Sequence, residues 1–81
     1  MQVLGAVFGV DVSKAKLDVA QLGDSGARSI GNDIESIDAW LASLPAGSIV
    51  GVESTGRYHQ LLLERAQRGA VLIYVLNADE R

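Results

Sequence analysis

The strongest constraint on the fold of this chain is a three-part pattern. An apolar run from Ala6 to Val12 and another from Ser48 to Glu53 flank a segment in which Ile34, Ile37, Leu41 and Leu44 recur at helical spacing. The first run, with Val7, Phe8, Val10 and Val12, is nearly continuous, the signature of a strand buried on both faces, and the second is apolar throughout. A helix between two strands of one sheet returns the chain parallel to its start, so the two runs are expected to be parallel neighbours.

The remaining segments attach to that core. After the polar stretch Ser13 to Lys16, Leu17 to Leu22 is short, apolar and bounded by Gly23, Asp24, Ser25 and Gly26, which suits a hairpin partner of the first strand. Arg28 to Gly31 suits a third, edge strand. Asn32 with Glu35 three residues later reads as a helix N-cap with its reciprocal glutamate, and Pro45 and Gly47 end the helical pattern. Trp40 widens the apolar face of this helix as a core aromatic. A second helix is expected over Tyr58 to Arg68, turning Leu61, Leu62 and Ala66 inward. Arg65 and Arg68 suit its C-terminal dipole and Gly69 its stop. Val71 to Leu76 forms a last strand. The predicted order is β-β-β-α-β-α-β, an α/β fold whose mixed sheet is antiparallel in its first three strands and parallel where helices return the chain.

Composition excludes several classes. Eighty-one residues make one small domain, and the absence of cysteine removes disulfide frameworks and thiolate metal sites, which favours a reducing, cytoplasmic setting. Val3 to Val12 is interrupted by glycine, lacks a leading basic segment and ends beside Asp11, so neither a signal peptide nor a membrane span is expected. The net charge is -3 with the seven basic residues scattered, so no basic face would drive nucleic-acid binding by itself.

The chemistry-bearing feature is the recurrence of Gly-Val-acid, as Gly9-Val10-Asp11 and Gly51-Val52-Glu53. Side chains alternate along a strand, so each acid shares a face with the glycine two residues before it. Neighbouring strands lie about 4.8 Å apart, so on adjacent parallel strands Asp11 and Glu53 emerge together, within reach of one hard cation such as Mg2+. The glycines leave room on that face for a phosphate or a nucleotide backbone. Ser54, Thr55 and Gly56 read as the N-cap of the second helix. Lys14 and Lys16 follow the first acid and suit either phosphate contact or a solvated turn. His59 reads as a solvated helix residue. Asp18 falls on a paired strand and Asp24 in a turn, which sets both apart from the acid pair.

Three stretches, "GVDVSKAKLDVA" (Gly9 to Ala20), "VESTGRY" (Val52 to Tyr58) and "VLNADER" (Val75 to Arg81), together resemble the N-terminal RuvC-like domain of DEDD-type insertion-sequence transposases, also described as Piv-like recombinases. The resemblance spans nearly the whole chain. It implies an RNase H-like fold that binds divalent metal, normally Mg2+, for DNA strand cleavage and transfer. Asp11 matches the first acid of the family's tetrad and Glu53 the second; in this picture paired metal ions clamp the attacking and leaving oxygens, with Asp11 bridging them. The family's last two aspartates follow the segment that matches 75–81, so residues 1–81 are expected to be a partial catalytic domain, truncated before its last catalytic helix and inactive alone. The sheet face which that helix would cover is expected to promote self-association into a homo-oligomer. DNA and, in a full-length protein, a guide-type RNA are the partners this picture allows, with no membrane. Ser54 stands where alanine is usual, His59 where an aromatic residue is frequent, and Ala78-Asp79 where Pro-Ala is usual. Two other readings compete: an actin-like or sugar-kinase-type ATP-binding domain, whose phosphate turn is normally richer in Gly and Thr than "DVSKAKLD", and a noncatalytic α/β interaction module.

Overall fold

A computed structural model describes residues 5–24, 26–54, 57–69 and 71–77. The elements are β1 (Val7–Val12), β2 (Lys16–Gln21), β3 (Ala27–Gly31), α1 (Ile34–Ala42), β4 (Ile49–Ser54), α2 (Gln60–Ala66) and β5 (Leu72–Asn77). They build an α/β domain around one five-stranded mixed sheet of order β3-β2-β1-β4-β5. β1 pairs antiparallel with β2, and β2 with β3; β1 and β4, and β4 and β5, are parallel. Among the described residues no helix is long and apolar enough to cross a membrane.

Both helices lie on one face of the sheet. Val10, Val12, Leu17, Val19, Val50 and Val52 pack there against Ile37 and Trp40 of α1 and Leu62 of α2 in one continuous core. Trp40 is buried and meets Phe8 edge to face, ring centroids 5.8 Å apart and planes at 87°. The expectation that β1 is buried on both faces is not met: Val7, Gly9 and Asp11 are exposed. Of those three alternate positions only Val7 carries an apolar side chain. The run is therefore an amphipathic strand that Gly9 and Val7 make look continuous.

Local chemistry sets the element ends. The N-cap of α1 is Asp33 rather than Asn32: its carboxylate accepts the Ser36 N–H at 2.8 Å and the Ser36 hydroxyl at 3.1 Å, so Ser36 takes the place expected for Glu35 three residues after the cap. Ile34, expected on the inner face, is half exposed because it opens the helix at the rim. Helix α2 is shorter than its apolar pattern suggests. It starts at Gln60 with His59 in the N-cap position, and after Ala66 it unwinds into turns in which Arg68 N–H donates to Arg65 O and Gly69 N–H to Ala66 O. The two helices are joined by Arg65, whose Nε and Nη2 donate to the two carboxylate oxygens of Asp38 at 2.8 and 2.6 Å. This fork-on-carboxylate pair holds Asp38 below the usual carboxylate range, chiefly through the hydrogen bond from Arg65.

The entry to the parallel pair is closely packed. Ser48, fully buried, donates its hydroxyl to Pro45 O at 2.6 Å and accepts the Ala6 N–H at 3.2 Å, and Ile49 N–H donates to Ala6 O at 2.8 Å. Gly47 turns with φ of 83°, and Gly5 passes so close that a Cβ there would collide with the Gly47 carbonyl.

Two outcomes test this architecture by thermal unfolding. Gly5→Ala should lower stability by about 1–3 kcal/mol, since the obstacle is backbone. Asp38→Asn should remove a stabilisation that is present at neutral pH. In the parent chain that contribution holds above the ordinary aspartate value of 3.8 and fades as pH falls through the lower folded value, so the variant and the parent should converge in acid.

Candidate functional site

The parallel register of β1 and β4 runs Val7↔Ile49, Gly9↔Gly51 and Asp11↔Glu53 along the uncovered face. Asp11 and Glu53 are thus direct partners on the last rung of the ladder, both exposed, with the glycine pair one repeat before them. A side chain at Gly9 would meet no atom within 4 Å, and at Gly51 only the Phe8 carbonyl at 3.9 Å. The glycines therefore serve neither a turn nor a close packing contact here. They lower the floor of a shallow trough of about 440 Å3, bordered by Asp11, Glu53 and Leu76.

The antiparallel neighbour extends this pattern in a way the sequence reading passed over. Asp18 of β2 is the cross-strand partner of Asp11, so carboxylates stand in the row Asp18, Asp11, Glu53 across three strands. The hairpin register would have shown it: Val12 pairs with Leu17, which places Asp18 beside Asp11 on the uncovered face. Parallel to this acid row runs a row of small residues, Ala27, Ala20, Gly9 and Gly51, across four strands. Asp18 differs from the other two acids because its carboxylate accepts a hydrogen bond from Ser29 on β3. Among the described residues no group of three or more His, Cys, Asp or Glu side chains is arranged to hold a metal ion. The bond from Ser29 engages Asp18 and leaves Asp11 and Glu53, opposite one another on the parallel ladder, as the pair of candidate cation ligands. Two carboxylates fit Mg2+, which keeps most of its water and takes one or two protein oxygens beside those of a phosphate.

Lys16 alternates with Asp18 on β2 and so belongs to the uncovered face, at the acid end. Lys14 is exposed in the turn between β1 and β2. In that turn Ser13 N–H and Ser13 Oγ both donate to Lys16 O at 3.0 Å, which commits them to closing the hairpin. Asp24 is spent on the β2–β3 turn, accepting the Gly26 N–H at 3.1 Å. His59 is half-buried at the start of α2. The N-cap expected from Ser54, Thr55 and Gly56 is replaced by His59; Thr55 and Gly56 lie outside the described residues, as do 78–81 of the third motif.

No protein-family model matches this chain, and no curated protein matches it either.

Like charges placed directly opposite one another weaken a sheet, so the acid row costs stability that the fold does not need to spend. Asp11→Asn should therefore stabilise the chain by about 0.2–1 kcal/mol at neutral pH and low ionic strength, with a gain that shrinks as salt is added. Gly9→Ala should stabilise it by about 0.4–1 kcal/mol, because the backbone there has an ordinary negative φ and the added methyl meets open space. Both are read from denaturant midpoints. A loss of stability in either variant would mean that the residue serves the fold.

Proposed function

We propose that the chain is an RNase H-like, RuvC-like domain of a DEDD-type transposase or site-specific recombinase, acting on DNA. The observation that carries the reading is the Asp11↔Glu53 rung: two carboxylates side by side at the end of a parallel strand pair, on an exposed face, beside two glycines that leave space. The mixed sheet and the element order agree with what the three sequence motifs imply.

Asp11 and Glu53 would hold Mg2+, which when bound stabilises the negative charge that develops on a phosphodiester during cleavage and transfer. The chain's own contributions are more specific. The Gly9–Gly51 floor admits a sugar-phosphate backbone close to the two carboxylates, and Lys16, on the same face, supplies a positive charge for a flanking phosphate. The kinase-type alternative finds less support, because the Ser13 donors that would meet ATP phosphate are spent inside the hairpin turn. An interaction-module reading draws on the exposed apolar side chains of Ile49, Leu72, Tyr74 and Leu76 on the same uncovered face.

In a full-length recombinase carrying this domain, Asp11→Asn and Glu53→Gln should each abolish strand transfer while the folded domain persists, measured by a recombination assay beside thermal unfolding. Activity retained in either stable variant would overturn the catalytic role proposed for that acid. The 81-residue chain alone should bind Mg2+ and Mn2+ weakly, since two carboxylates leave most of the metal's shell to water, and it should not nick plasmid DNA. Light scattering on a sizing column should show it self-associating through the exposed apolar face; a monomer at high concentration would count against that partner.

A further inference from the structure

The β1–β4 ladder ends at the acids. Beyond the Asp11↔Glu53 rung the two strands part: Val12 pairs with Leu17 of β2, and Ser54 with Asn77 of β5. Asn32, at the junction of β3 and α1, spans that gap. Its Nδ2 donates to the carbonyl of Ser13, two residues past Asp11, at 3.0 Å and to the carbonyl of Tyr58, five residues past Glu53, at 3.1 Å, with a longer contact of 3.5 Å to Lys14 O. Its backbone N–H donates to Ala15 O at 3.0 Å.

An amide NH2 has two protons, and the two short contacts use both. The three side-chain neighbours are all carbonyl oxygens, so the opposite amide orientation would set oxygen against oxygen. Asn32 has no helix-capping duty, because Asp33 performs it. Its Oδ1 is buried without a hydrogen-bond partner among the described residues, a cost that an apolar side chain of similar size would avoid. The compensation lies in the two bonds of Nδ2, which join the loop after the first acid to the segment after the second.

We propose that Asn32 is a positioning residue whose amide clasps these two segments together and so fixes the spacing of Asp11 and Glu53 as a shared cation site. The clasp stands on the hydrogen bonds alone, and its role toward a cation rests on the metal reading above.

The test is native-state hydrogen exchange by NMR on the 81-residue chain, with Mn2+ as the probe of the acid pair. In the parent chain the amides of Ser13, Asn32 and Gln60, bonded at 3.0, 3.0 and 3.2 Å, should open together with one denaturant dependence. Asn32→Asp keeps the shape but has no donor when ionised, and Asn32→Ala removes the group. Each should speed exchange at Ser13 and Gln60 together, roughly tenfold, while Val52 and Leu62 stay protected. Each should also raise, by roughly tenfold, the Mn2+ concentration that broadens the Asp11 and Glu53 signals. Faster exchange in only one segment, or in neither, overturns the clasp. Coupled exchange with unchanged Mn2+ response overturns the positioning role. Coupled exchange with no Mn2+ effect in the parent chain keeps the clasp and overturns the metal reading on which that role rests. If both variants fail to fold, the parent's exchange decides: separate openings of the three amides overturn the proposal, and one shared opening supports it.

Discussion

The register between β1 and β4 is the constraint on which the rest of the molecule depends. Strand side chains alternate with a period of two, so a slip of one residue in either strand would send its acid into the core and its valines to solvent. The register is held at its entry by Ile49 N–H on Ala6 O, by the buried Ser48 hydroxyl, and by the glycine contact between 5 and 47. Through its rungs it aligns Val10 with Val52 in the core and Asp11 with Glu53 outside it. One alignment therefore fixes both the packing and the candidate chemistry.

That arrangement divides the labour of the sheet. The covered face carries the hydrophobic stabilisation through Val50, Val52, Leu17, Ile37 and Leu62, all fully buried, while the uncovered face spends its central positions on glycine, alanine and carboxylate. A sheet selected only for stability would place β-branched residues at Gly9 and Gly51 and avoid three acids in a row. The departure is concentrated where a polyanion and its counter-cation would have to approach. Lys16 is the only basic residue at the acid end of that face in β1, β2 and β4, so a phosphate would be held locally, with no broad basic surface behind it.

The element order, both helices and the sharing of one face by Asp11 and Glu53 were legible because they rest on periodicity, which a single chain carries in full. Burial was less legible. Val7 and Gly9 fill alternate positions with residues that read as apolar, so β1 looked buried on both faces when only Phe8, Val10 and Val12 turn inward. Asn32 and Asp33 are both good helix N-caps, and the choice between them depends on tertiary partners: Asn32 is drawn away by carbonyls at Ser13 and Tyr58, which lie 19 and 26 residues distant in sequence. The same holds for Asp38 and Arg65, whose pairing joins two helices. Asp18 was within reach of sequence reasoning, since the hairpin register follows from the short turn between Val12 and Leu17.

Charge on the uncovered face bears on how a polyanion would bind a chain of net charge -3. Three carboxylates in a row repel phosphate at long range, and the scattered basic residues do not offset them by steering. A divalent cation on Asp11 and Glu53 would cancel the charge of that pair and offer a phosphate oxygen a ligand position, at the place where the small-residue row lets a backbone come close. Under the strand-transfer reading, DNA affinity for this face is therefore conditional on the cation, and binding and chemistry share one switch. A basic groove would bind DNA in either state and separate the two. The acids, the glycines and the weak overall charge then become parts of one arrangement, in which the surface is repulsive to nucleic acid until the ion that supports the reaction is in place.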